Sequence, residues 1–225
     1  MKSLYAFLLF SCIHSVSAQL KTITDKTTYP FWINVPEKES TEKQPILIFL
    51  HGKSLSGTDL NRVRRYGVLR AMDKGRKIPA IVVAPQLAKG SWNPDKVLEV
   101  LEYVQKNYNT DSTRVYVCGM SLGGYGTLHF AGKHADKITA AVAICGGGNV
   151  SDGCKLATIP LWIQHGDKDY IVPMSESEKV VNAIRKCNEK AKLIFTVIKG
   201  GNHGSVENIF HQDAMYNWLF EQKRE

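Results

Sequence analysis

Six short apolar runs, broken only by Thr196 in the last, constrain what this chain can fold into: residues 46–50, 80–84, 115–118, 140–145, 161–163 and 193–198. Each is too short for a helix and does not alternate, so each reads as a strand buried on both faces. Segments of helical period lie between them. Pro94 stands at a helix start and is followed by Val97, Leu101, Val104 and Tyr108, while Val180, Val181, Ile184 and Cys187 form a second stripe. A C-terminal helix is expected to carry Ile209, Phe210, His211, Met215, Trp218 and Leu219. Residues 31–35 do alternate and are expected to form an edge strand that stops at Pro36. Strands alternating with helices imply one α/β domain built on a doubly wound, mostly parallel sheet. No repeat or low-complexity tract interrupts it, and the polar run 38–43 reads as a loop within the domain.

The first 18 residues read differently. Lys2 precedes the apolar stretch LYAFLLF at 4–10, and Val16-Ser17-Ala18 supplies the small residues of a cleavage site before Gln19. That is the pattern of an export signal, too short to span a bilayer. Residues 1–18 are therefore expected to be removed and 19–225 to form the single catalytic domain. A lipid anchor on Cys12, in Leu9-Phe10-Ser11-Cys12, is a second reading, weakened by the bulk of Phe10. Four cysteines follow: Cys118 and Cys145 end apolar runs and read as buried, and a Cys145–Cys154 bridge is the expected pairing if one forms. No Cys/His spacing suggests zinc. The formal charge of +8 does not imply nucleic acid, because its densest cluster, Arg62, Arg64 and Arg65, falls in an expected surface helix without interleaved aromatics.

The chemistry centres on Ser121. Gly119-Met120-Ser121-Leu122-Gly123 follows the strand at 115–118 and opens into Gly124-Tyr125-Gly126, the strand–turn–helix context of a nucleophile elbow. A serine hydroxyl needs a histidine to take its proton and an acid to orient that histidine. His203, in the loop Lys199-Gly200-Gly201-Asn202-His203-Gly204 after the last strand, holds the position where the base belongs. His51 and His165 each precede a glycine at a strand end and read as turn-shaping residues. For the acid, Asp167 and Asp169 both reach the same sheet edge. Asp169 is chosen because its turn exposes the side chain, whereas Asp167, next to Gly166, suits bonds to the loop backbone. An oxyanion site is expected from the backbone N–H groups of Leu122 and of Lys53, in the loop His51-Gly52-Lys53. Trp92 is a candidate for stacking on a sugar or aromatic acid, or for covering the adjacent helix.

The stretches Phe49-Leu50-His51-Gly52, 111–116 (DSTRVY), 119–126 (GMSLGGYG), Ile144-Cys145-Gly146-Gly147-Gly148 and His165-Gly166-Asp167-Lys168-Asp169 resemble the α/β-hydrolase superfamily. More narrowly they are similar to its small secreted esterases, the predicted peptidase, phospholipase/carboxylesterase-like and feruloyl-esterase-like groups. That resemblance implies the superfamily fold, a Ser121–Asp169–His203 triad and a reaction needing neither metal nor organic cofactor. The loop Lys53-Ser54-Leu55-Ser56-Gly57 lacks the small, acid-containing run of those relatives, so the acyl pocket is expected to differ. Residues 146–158 are too few for the cap domain that superfamily lipases insert there, so an open site is expected. The reading is a secreted serine esterase acting on small or polymer-attached esters, carbohydrate acetyl or feruloyl esters among them. A serine peptidase of the same fold is the alternative, followed by a non-catalytic binding protein.

Overall fold

The computed structural model describes residues 19–36 and 42–224. The export segment 1–18, the anchor reading of Cys12 and residues 38–41 of the polar run lie outside the described residues.

Among the described residues eight strands form one sheet: β1 (Gln19–Ile23), β2 (Phe31–Val35), β3 (Gln44–Leu50), β4 (Ile81–Pro85), β5 (Thr110–Met120), β6 (Ala140–Ile144), β7 (Leu161–Gly166) and β8 (Leu193–Ile198). Their spatial order is β1-β2-β4-β3-β5-β6-β7-β8. The first two are antiparallel to their neighbours, and β3 through β8 run parallel. Six helices flank it: α1 (Val68–Asp73), α2 (Pro94–Asn107), α3 (Leu122–Lys133), α4 (Gly153–Leu156), α5 (Ser175–Cys187) and α6 (Asp213–Glu221).

The apolar runs have a direct cause. In β3, Ile46, Ile48 and Leu50 enter the core shared with α2, α3 and α5, while Leu47 and Phe49 enter the opposite core with α1 and α6. Both faces are dry, so alternation has nothing to report. The helices obey the complementary rule. Asn93 caps α2 by accepting from the Asp95 and Lys96 N–H groups, Pro94 occupies the first turn, and Val97, Val100, Leu101 and Val104 form the buried stripe.

Five expectations are corrected. Residues 193–198 do not form a strand buried on both faces, because β8 is an edge of the sheet with Ile194 and Val197 exposed. Residues 31–35 do not form the edge, because Gln19–Ile23 pairs outside them; that strand carries Lys21 and Thr22 and has no apolar run to announce it. Arg62 and Arg64 lie in a 3-10 turn, Leu60–Arg64, and not in an α-helix. There Arg62 donates to the Ser54 and Leu55 carbonyls, so it braces the loop that precedes it. Ile209, Phe210 and His211 belong to a 3-10 segment, Ser205–His211, separated from α6 by the extended backbone of Gln212. The disulfide joins Cys154 to Cys187 and not to Cys145. Cys154 sits in α4, which packs on α5 so closely that a side chain at Gly153 would meet the Ala183 backbone. Cys145 instead ends β6 as a buried free thiol.

The connection from β6 to β7 holds only a 3-10 turn, Val150–Asp152, and α4, and inserts no cap. Among the described residues no helix is long and apolar enough to cross a membrane. The bridge closes a loop of sequence separation 33, for which chain entropy gives roughly 3–4 kcal/mol. A Cys154→Ser, Cys187→Ser double variant is expected to lose about that much in urea unfolding, as is the reduced parent protein. Coincident denaturation curves for oxidised and reduced protein would refute the bridge.

Candidate active site

The parallel strands deliver the conspicuous side chains to one edge of the sheet. β5 ends at Met120, and the chain turns at once into α3 through Ser121, whose φ of 59° and ψ of −124° lie in a region non-glycine residues rarely occupy. The turn is held by the Ser121 N–H donating to the Ile144 carbonyl (2.8 Å) and by glycine at its flanks. A Cβ on Gly119 would strike the Gly123 and Leu50 carbonyls, and one on Gly123 would strike the Leu50 carbonyl. The strain at Ser121 is therefore imposed by neighbours that only glycine admits.

His203 follows β8 and turns back over the elbow. Its Nε2 lies 2.9 Å from Ser121 Oγ, and its Nδ1 lies 2.6 Å from Asp169 Oδ2. The Asp169 side chain is fully buried. Its Oδ1 accepts the Ile171 and Val172 N–H groups, both at 2.9 Å. Burial opposes its ionisation, but the bonds from His203, the two N–H groups and the Cys145 thiol outweigh that and hold the carboxyl below the ordinary range. The turn after β7 thus points Asp169 inward. Asp167 is exposed and accepts the Gly200 N–H at 2.7 Å, tying the β7 turn to the loop that carries His203.

The loop after β3 forms the facing wall. His51 is buried and neutral: Leu87 N–H donates to its Nε2 (3.1 Å), so Nδ1 carries the proton and donates to the Gly52 carbonyl (2.8 Å). Burial pushes its pKa down to about 4. Lys53 begins a 3-10 turn, and Leu122 begins α3. At these starts neither backbone N–H has an acceptor among the described residues. A Gly52 Cβ would lie 3.4 Å from Ser121 Cβ, which shows how closely this loop approaches the elbow.

Trp92 is placed otherwise than the stacking role requires. It is buried, donates from Nε1 to the His51 carbonyl (3.0 Å), and packs edge-on against His51 and Tyr29 and over Gly126. It supports the loop from within, and its face is unavailable to a substrate. The aromatic ring standing exposed beside the acid is Tyr170.

Sequence reasoning missed the groups around Asp169. His165, fully buried, lies 3.5 Å from Asp169 Oδ2 and donates from Nε2 to the Val172 carbonyl (2.9 Å), while its Nδ1 meets Ser177 Oγ of α5 (2.8 Å). Burial pushes the Cys145 thiol up to about 12, so it remains a neutral donor to the carboxylate. Cys145 also has a positive φ of 45°. Ligand atoms of Cys145, His165 and Asp169 lie within 4.8 Å of one another, the set among the described residues that could hold a metal ion. The hydrogen bonds of His165 and Asp169 are already committed within the fold. Only the position of Cys145 and His165 at the ends of the two strands that follow the elbow strand in the sheet could have signalled them.

Because the folded Asp169 titrates below its ordinary value near 3.9, its ionised form contributes stability that is fully present above that value. The contribution is lost as pH falls through the lowered folded value. Urea unfolding of the parent and an Asp169→Asn variant is expected to show the parent's advantage shrinking below roughly pH 4. An advantage independent of pH from 7 to 2 would contradict this.

The model of the Dienelactone hydrolase family matches residues 82–208, which hold β5, the elbow, Asp169 and His203. Over 91 residues the chain is 34% identical to a bifunctional acetylxylan esterase/xylanase, XynS20E, of Neocallimastix patriciarum, covering 40% of this chain and 13% of that protein. A solved thermostable esterase is 29% identical with a TM-score of 0.80, over 91% of this chain and 63% of that one. The chain thus spans about an eighth of the curated relative it matches and less than two thirds of that esterase. The feruloyl esterase module of Clostridium thermocellum, an S954A mutant in complex with sinapinate, shares the fold at a TM-score of 0.68 and 15% identity, over 92% of this chain and 90% of that one. Sheet order, flanking helices and these matches agree on the α/β-hydrolase fold, and the chain belongs to the Dienelactone hydrolase family.

Proposed function

We propose that the chain is an exported carboxylic ester hydrolase using Ser121, His203 and Asp169 as nucleophile, base and orienting acid. The observation that carries the reading is the continuous chain of short hydrogen bonds from a strained serine through one imidazole to a buried carboxylate. The 29% identity to a solved esterase supports ester chemistry, and the likeness to an acetylxylan esterase/xylanase favours carbohydrate-linked esters. The Cys154–Cys187 bridge supports export, since disulfides persist in oxidising compartments.

In this reading His203 Nε2 takes the proton from Ser121 Oγ as the oxygen attacks the ester carbonyl. The carbonyl oxygen becomes an oxyanion held by the free N–H groups of Lys53 and Leu122. The C–O bond to the alcohol then breaks as His203 returns the proton to the leaving oxygen, giving an acyl-Ser121 ester. Water repeats the sequence, losing its proton to His203, and releases the acid with Ser121 restored. Asp169 keeps Nδ1 protonated throughout and stabilises the imidazolium when it forms.

Two measurements test the assignment. A fluorophosphonate is expected to add once to the parent and not to Ser121→Ala, with ester turnover lost in the same variant; undiminished turnover would falsify the proposal. Asp169→Asn, which leaves Nδ1 facing an amide, is expected to lower kcat by roughly 10³–10⁴ while substrate binding holds.

A further inference from the structure

Beside the Ser121–His203 pair lies a cavity of about 270 Å³ lined by Ser54, Tyr66, Met120, His203, Gly204 and Glu207. Pockets for drug-sized ligands run from about 300 Å³ upward, so this one has room for a single ring and not for a long acyl chain. Its polar groups are only partly satisfied. Tyr66 Oη accepts the Gly52 N–H (3.1 Å) and shares one hydrogen bond with Ser54 Oγ (3.2 Å). The two hydroxyls hold two protons and their mutual bond uses one, so one proton has no acceptor among the described residues. Across the cavity, Glu207 Oε1 accepts the Gly67 N–H (2.9 Å) and meets His211 Nε2 (3.2 Å). Glu207 Oε2 accepts no hydrogen bond among the described residues, although the side chain is mostly buried at 26% exposure.

One wall group therefore offers a donor and another offers a charged acceptor, and Met120 adds an apolar side chain to the lining. A hydroxyl, which donates and accepts at once, satisfies both. An ammonium would satisfy Glu207 but confront the free hydroxyl proton. The cavity is bounded by His203, the group that in the ester-hydrolase reading returns the proton to the leaving oxygen, so its occupant is attached to that oxygen. We infer that the cavity is a hydroxyl-binding subsite for the alcohol half of the ester, and that Glu207 with the Ser54–Tyr66 pair selects esters of sugars or similar polyols. The inference rests on the ester-hydrolase reading and adds specificity residues to it. Glu207 and Tyr66 stand far from the elbow in sequence and carry no motif.

The test compares a monoacetate of methyl β-xyloside with cyclohexyl acetate, two secondary-alcohol acetates that differ in ring hydroxyls. The parent is expected to prefer the xyloside in kcat/KM by at least about tenfold. Glu207→Gln keeps an oxygen for Gly67 and His211 but turns the free acceptor into a donor, and it is expected to reduce that ratio about tenfold. Tyr66→Phe also deprives the Gly52 N–H of its acceptor, so both esters are expected to slow, the xyloside more. Equal turnover of the two esters by a parent that takes up fluorophosphonate would overturn the subsite and leave the ester-hydrolase reading intact. A ratio unchanged in Glu207→Gln would do the same. An effect of Glu207→Gln that follows acetate against butyrate, and not the alcohol, would place the cavity on the acyl side and refute the assignment. A folded parent that neither labels nor hydrolyses either ester would bring down both readings.

Discussion

The architecture of the site depends on how closely two backbones meet at the end of β5. The elbow can lift Ser121 above the sheet only because Gly119 and Gly123 let α3 press against the carbonyl of Leu50, at the end of β3. That contact has two results. It holds Ser121 at its unfavourable φ, and it brings the β3 loop up to the elbow, where a Gly52 Cβ would lie 3.4 Å from Ser121 Cβ. The strained serine and the close approach of the β3 loop are thus consequences of one steric fact. The Trp92 indole then secures the loop from the core side by donating to the His51 carbonyl.

The acid is governed by electrostatics and not by shape. A carboxylate without exposed surface is costly unless donors surround it. Asp169 meets four: the His203 ring, two consecutive N–H groups of its own turn and the Cys145 thiol. His165 stands behind them and links the turn to α5 through Ser177, whose Oγ in turn donates to the Gly146 carbonyl at 2.7 Å. The end of β6, the turn after β7 and the first turn of α5 are therefore one hydrogen-bonded unit around the carboxylate.

The parts of this design that rest on local rules were legible in the sequence. Apolar runs announce parallel strands, buried in all but the edge strand β8, Asn93-Pro94 announces a helix start, and glycines around a serine announce the elbow. The choice of His203 rested on chain order and that of Asp169 on a turn expected to expose it; the turn buries Asp169 instead, yet the two are found beside Ser121 Oγ or one bond removed from it. What depends on tertiary contact was not legible. β1 has no apolar signature because it pairs at the rim. The bridge joins cysteines brought together by helix packing, where proximity in sequence suggested another pair. Trp92 looked available because an indole beside Gly90 and Ser91 gives no sign of the carbonyl that draws it inward. Glu207 and Tyr66 reach their cavity from a 3-10 segment and from the turn before α1, neither of which has a period to read.

The Cys154–Cys187 bridge has a kinetic meaning beyond its contribution to global stability. It fastens α4 to the last turn of α5, and the first turn of α5 supplies the Ser177 hydroxyl behind His165. Oxidised, the segment from α4 through α5 is a covalently closed ring, and the turn that carries Asp169 lies inside it. Opening that ring as a sub-global unit, with the rest of the sheet intact, requires its two helices to separate against a covalent tie. Reduction removes the tie while leaving the sheet's own hydrogen bonds in place. Amide exchange in α4 and α5 should then accelerate well before that of β3 or β5. The redox state of the surroundings would set how often the carboxylate is exposed to water, whether or not the fold as a whole is near its melting point.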